Sequence, residues 1–389
     1  MRIPVLILTL GSVIMLGWNS FNRGEGPIPQ SRRQAQQEFK NGNFKAAYEG
    51  FRKTTLDPQS PAREVAEDIP VAIQCLQQLD RIEDTDEYLE QVLAIKGRPD
   101  NWRVLKSVAD AYQSSQHYGF IIAEKFYRGY TRQGGRQVSA EDRDHVRALQ
   151  LYDQARRELP QETDANTKGG FYLDFANLWG SEGNTGEDWK LQVLTDLTKL
   201  PDYEDQEGGR SWGGQTQGAP VDEQGNPILY SVPASFETAK SDGERWRWAL
   251  AEAVKSDPDR ANSVQWVLAD FLNREFGTQT LNDYRWYFQR AEGDGTSDED
   301  KTSAILQLQT LSDDETIARL ATGIKRFKLS DEFNPIKIYQ SLAKAGDQNA
   351  NDRLAGIMTE RRQYVRRGGI LAEAIRRFGP VKTSIARSH

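Results

Sequence analysis

Apolar residues recur three and four apart through most of the chain, the mark of helices with one buried face. The clearest case is Glu38–Phe51, EFKNGNFKAAYEGF. Gly42-Asn43 interrupts the pattern and predicts two short helices joined by a tight turn. Phe44 opens the second helix, Ala47 and Phe51 set a small and a large residue on its inner face, and Asp57-Pro58 ends it. Ala35 is the small residue that lets the first helix approach.

This brick fits the 34-residue tetratricopeptide template, in which small residues bring two helices together and large ones fill the gap to the next pair. Ala109 and Tyr112 repeat the first-helix pattern, with Ala123-x3-Tyr127 expected as the second helix behind them. Ala148-x3-Tyr152, Ala155 and Pro160 repeat the second-helix pattern, with a capping box expected from Ser139 and Asp142. Ala47, Ala123 and Ala148 are 76 and then 25 residues apart, so the array is irregular. Phe171, Phe175 and Trp179 stripe the next helix, and Trp189–Leu200 reads as one more short helix.

Pro201–Pro233 changes character, being rich in Gly and Pro, with a small hairpin expected around Val221 and Ile228–Tyr230. Helical stripes then return: Trp246, Leu250 and Val254; Val267, Leu268 and Phe271 beyond the break at Ser256-Asp257-Pro258; then Ile317, Leu320, Ala321, Ile324 and Phe327. Leu354-Ala355-x2-Met358 followed by Tyr364 and Ala374 returns to the template, with Arg367 where it wants Ala. The expected fold is all-α, an irregular tetratricopeptide-like superhelix of helical hairpins with a Gly/Pro-rich insert. Its parts are a leader (1–20), a linker (21–31), a helical region (32–200), the insert (201–235), a second helical region (236–380) and a tail (381–389).

Composition adds a direction. The 389 residues carry 28% charged and 37% hydrophobic residues, polar for one compact enzyme core and usual for an array with much exposed surface. The formal charge of −7 gives no support to wholesale nucleic-acid binding. From Arg353 onward nine basic residues face only Glu360 and Glu373, a net +7 that reads first as a solvated helix face. Arg2 followed by the apolar run Pro4–Trp18 reads as an export leader, either cleaved or kept as an anchor. That places the chain in the periplasm or cell envelope, touching membrane only through this segment.

Candidate chemistry is sparse. Gly209-Arg210-Ser211-Trp212-Gly213 has the spacing of a serine-hydrolase elbow without its flanking strand and helix. Asp164-x-Asn166-x-Lys168 begins like a calcium loop, but Lys168 replaces a ligand. The acidic loop Glu292–Asp300 reads as solvated. His117, His145 and His389 lack metal-ligand spacing, His117 reading as a turn residue and His145 as an exposed one. Cys75 is the single cysteine, which rules out an internal disulfide. No catalytic residue, metal or cofactor is therefore assigned.

Longer phrases carry a resemblance. GAPVDEQGNPILYSVPASFETAKSDGERWRWAL (218–250), VLADFLNREFGTQT (267–280), LATGIKRFKLSDEFNPIKIYQ (320–340) and IRRFGP (375–380) resemble the helical N-terminal region of large planctomycete-type alpha-2-macroglobulin-like proteins. That family implies protease trapping by β-sandwich domains, some with a Cys-Gln thioester. No run of sandwiches is readable here, and Cys75-Leu76-Gln77-Gln78 lacks the Gly and Glu of the thioester motif. The resemblance implies a truncated or split form of a larger protein. The leading expectation is a non-catalytic scaffold binding a protein or peptide. A component of a protease-trapping protein, and a hydrolase using Ser211, are the alternatives.

Overall fold

The computed structural model describes residues 30–132, 134–180, 187–205, 218–284 and 307–378. The leader, Ser211 with its Gly-rich loop, the acidic loop 292–300 and the tail lie outside them. Thirteen α-helices dominate the described residues, with two small sheets, so the fold is all-α in class.

α1 (Gln30–Lys40) and α2 (Phe44–Thr55) form the first hairpin, turning through Gly42 at φ +79°. Their approach is close: a Cβ placed on Gly50 would lie 2.7 Å from the Cβ of Ala35. Ala35, Ala47 and Phe51 are buried, Phe44 is half-buried and edge-on to Phe39, and Pro58 is exposed beyond the helix end. α3 (Ala62–Gln78) packs between α2 and α5 (Trp102–Ser114), with α4 (Thr85–Ala94) following it. α5 pairs with α6 (Glu141–Glu158), which buries Ala109 and Tyr112 against Ala148, Tyr152 and Ala155; Pro160 is exposed past the end of α6.

α7 (Ala165–Trp179) pairs with α9 (Asp242–Ser256), and α8 (Glu187–Leu191) lies in the connection between them. The Gly/Pro-rich stretch therefore sits inside a helical pair. α10 (Ala261–Phe276) pairs with α11 (Pro335–Lys344), then α12 (Gln348–Glu360) with α13 (Tyr364–Phe378). One core runs from Ala35 to Leu329 across these pairs, and a second forms around Ile336, Tyr339 and Leu354.

Three helical expectations are corrected. The segment around Ala123-x3-Tyr127 is not a helix but a meander: β1 (Tyr118–Ile122), β2 (Lys125–Arg128) and β3 (Arg136–Ser139), antiparallel. Ala123 and Glu124 turn with φ +47° and +65°, the backbone of a tight hairpin turn without its usual Asn-Gly. The Ile317–Phe327 stripe belongs to β5 (Glu315–Leu320) and β6 (Gly323–Lys328), whose antiparallel pairing turns through Ala321-Thr322. Trp189–Leu200 is helical only to Leu191. Ser139 and Asp142 form no capping box: α6 begins at Glu141, and the Ser139 hydroxyl accepts from the Glu141 N–H. In the Gly/Pro-rich stretch, Val221 and Pro227 form a single antiparallel bridge around a turn held by Asp222.

The three insertions share a placement: each lies between the first and second helix of a pair. They also bond to one another. β3 pairs with β4 (Glu204–Asp205) of the second insert, extending the first sheet to four strands. Ala219 of the second insert donates to Arg319 O at 3.0 Å and accepts from Ala321 N at 2.7 Å, and Lys325 Nζ donates to Gly225 O at 2.8 Å.

Candidate partner-binding groove

A concavity of about 900 Å³ lies across α3, α5 and α7. Its floor is aromatic. Trp102 is edge-on to Phe171 at 5.8 Å, and the Arg103 guanidinium covers the indole at 4.3 Å. Arg103 is held in turn by Glu162.

Charged side chains of both signs bridge the walls. Lys106 on α5 reaches Asp110 at 2.8 Å and Asp174 on α7 at 3.0 Å. Burial pulls its ammonium pKa down, but the two carboxylates more than offset this and leave it above the usual lysine range. Tyr152, a packing residue of α6, donates its hydroxyl to Asp110 at 2.7 Å. The same residue thus packs the hairpin and holds the charged network of the groove. At the far end Arg260 donates to the Asn166 carbonyl and side chain at 2.8 and 2.7 Å.

The α3 wall contains a local anomaly with a local answer. Pro70 lies inside α3 and has no N–H to offer the carbonyl of Ala66 four residues earlier. The Ser107 hydroxyl of α5 donates to that carbonyl instead, at 2.7 Å. One hydrogen bond therefore satisfies a helix defect and ties two walls of the groove together.

A second polar cluster fixes the first insert to the helices. Arg128 of β2 is buried and donates to Asp86 on α4, to Asp144 on α6 and to the Gln116 carbonyl, at 2.6 to 3.1 Å. His117 Nδ1 lies 2.8 Å from the same Asp144, whose hydrogen bond raises the imidazole pKa. His117 is thus an anchoring residue rather than a plain turn residue. His145 is half-buried, not exposed, and burial with nearby Lys190 lowers its pKa to about 4.

Of the remaining sequence candidates, only Asn166 lines the groove. Asp164 caps α7 by accepting from Thr167 N. Cys75 is buried in α3, and burial pushes its thiol up to about 11, far from a reactive thiolate. Among the described residues no cluster of His, Cys, Asp and Glu is placed to hold a metal ion, and no helix is long and apolar enough to cross a membrane. The groove residues Trp102, Lys106, Ser107, Asp110 and Asp174 carry no sequence motif; only the polar spacing Lys106, Asp110, Ser114 along α5 hints at a solvent-facing stripe.

These features define a class: an all-α array of packed helical hairpins with a preformed groove along one side. Searches against protein-family models and against curated proteins return no match to this chain.

Proposed function

We propose that the chain is a non-catalytic interaction scaffold that holds an extended peptide or protein segment in the groove between α3, α5 and α7. The observation that carries this reading is the groove's lining. Above a buried aromatic layer of Trp102 and Phe171, Lys106, Asp110 and Asp174 offer both charge signs within a few ångströms of each other. Such a surface suits a polar backbone with alternating side chains better than a polyanion. The apolar leader supports a place for this scaffold in the cell envelope, and the tetratricopeptide-like small–large packing at Ala47/Phe51 and Ala148/Tyr152 supports the repeat reading.

The test is a random-peptide display selection on the immobilised full chain, with affinities measured by fluorescence anisotropy. Asp174→Lys reverses a charge at a half-exposed groove position without touching the core. Selected peptides should bind this variant at least tenfold more weakly. Equal binding to both proteins, or no enrichment at all, would remove the groove as a binding site.

A further inference from the structure

The basic segment from Arg353 onward holds a helix with its larger apolar residues on the outside. α13 packs on α12 through few apolar side chains: Ala374 is buried, and Ile370 is half-buried against the second core. Polar bonds hold the same side down. Gln363, just before the helix, donates to the Leu311 carbonyl at 2.7 Å, Arg366 pairs with Asp313, and Arg377 donates to the Ala343 carbonyl at 2.9 Å. At about 100° per residue, Tyr364, Val365, Leu371, Ile375 and Phe378, with Gly368 and Ala372 among them, fill an opposite arc of about 140° that contains no charge. Val365 is 91% and Ile375 52% exposed, and a Cβ on Gly368 would meet nothing within 4 Å. The stripe is convex and open, not a groove. Arg367 borders it on one side and Arg376 on the other, both exposed.

We infer that α13 is an interfacial helix, which lays this stripe into the headgroup region of an anionic lipid bilayer without crossing it. Charge and shape together select lipid. Five arginines and one glutamate lie between Arg362 and Phe378, and the glutamate, Glu373, lies outside the arc and pairs with Arg376. Arginines at both borders of an apolar stripe run their stems along it and set their guanidinium groups at the level of the lipid phosphates. A convex stripe offers no groove to a rigid partner helix, whereas acyl chains mould to it. The exposed acids Asp352 and Glu360 belong to α12, so the attraction comes from α13 and its turn rather than from the whole pair.

The test places an environment-sensitive nitrobenzoxadiazole label on Val365→Cys in the full chain, where the buried Cys75 stays unlabelled. Its emission should rise at least twofold on vesicles of phosphatidylglycerol and stay unchanged on vesicles of phosphatidylcholine. The same label on Lys255→Cys, an exposed position of α9, should not respond, which separates burial of this stripe from any other attachment of the chain to a vesicle. Arg367→Glu with Arg376→Glu should raise the phosphatidylglycerol concentration needed by about tenfold or more. Ile375→Asp should abolish the response with the melting temperature unchanged. No rise on phosphatidylglycerol, an equal rise on both lipids, or a response that survives the arginine reversal overturns the inference. So does a lowered melting temperature in Ile375→Asp, which would place the stripe against the chain itself. A lipid-free rise with protein concentration also overturns it, by assigning the stripe to a second copy of the chain.

Discussion

The Pro70–Ser107 pair on the groove wall allows a quantitative test. Pro70 is the ninth of 17 residues in α3, deep in the helix interior. An interior Pro costs about 3 kcal/mol relative to Ala, partly through the lost hydrogen bond and partly through the ring's clash with the preceding turn. Here the Ala66 carbonyl is not orphaned, because Ser107 Oγ serves it at 2.7 Å. Pro70→Ala should therefore recover less than the full amount, about 1–2 kcal/mol of added stability. Ser107→Ala alone strands a half-buried carbonyl with no helical donor, at a cost of about 1.5 kcal/mol. After Pro70→Ala the new N–H at position 70 serves Ala66, and the same serine deletion should cost about 0.5 kcal/mol.

The measurement is a double-mutant cycle of urea denaturation on the parent, both single variants and the double. The expected coupling is about 1 kcal/mol. A serine deletion that costs the same in both backgrounds, within about 0.3 kcal/mol, would mean that Ser107 does not compensate for Pro70. A destabilising Pro70→Ala would refute the account of the helix defect itself.

Three further outcomes follow from single sites. Gly50→Ala should lower stability by about 1 kcal/mol, because overpacking against the Ala35 Cβ at 2.7 Å outweighs the helix-propensity gain, whereas Gly356→Ala in open space on α12 should raise it by about as much. Thermal melts that shift in the same direction for both would contradict the close packing of α1 on α2. Arg128→Met should cost about 3 kcal/mol in urea unfolding, since it leaves the buried Asp144 carboxylate with His117 but without its guanidinium partner; a loss under about 1 kcal/mol would show that the cluster is not paired as described. His145 titrates near 4 when folded and near 6.5 when unfolded, so its contribution is present above pH 6.5 and lost as pH falls towards 4. His145→Gln should flatten the stability profile across that window, and an unchanged profile would place His145 in solvent.

The helical hairpins were legible because their packing demands particular residues at short range. Ala47 and Phe51, or Ala148 and Tyr152, report a small and a large side chain one turn apart, and that local pattern survives any tertiary context. The strands were not legible, for two distinct reasons. The β1–β2 turn uses Ala123-Glu124, which carries no turn signal, so the flanking alanine and tyrosine imitate a second helix. In β5–β6 the residues Ile317, Leu320, Ile324 and Phe327 fall at helical intervals only because a hairpin turn interrupts them. The groove was illegible for a third reason: Lys106 and Asp174 are 68 positions apart, and nothing local ties one to the other.

The insertions bear on how that groove is shaped. In a stacked helical array each pair touches only its neighbours, so curvature is set by many weak interfaces in series. Here the pairing of β3 with β4 joins the α5/α6 pair to the α7/α9 pair along one edge, and the Ala219–Leu320 bridge carries the link on to α10/α11. Two of the three groove walls, α5 and α7, thus belong to pairs whose inserts are bonded together. That fixes their separation before any partner arrives and reduces the ordering cost of binding. The β3–β4 and Ala219–Leu320 links do not include α3. Its position rests on packing against α2 and α5, the Arg32–Asp68 pair and the Ser107 bond across the Pro70 defect. If the groove adjusts to what it holds, the movement should be at the α3 wall. A partner that shifts α3 must also change the exchange protection of the Ala66–Pro70 turn while leaving the β3–β4 amides unaltered, a contrast that hydrogen exchange with and without a selected peptide would resolve.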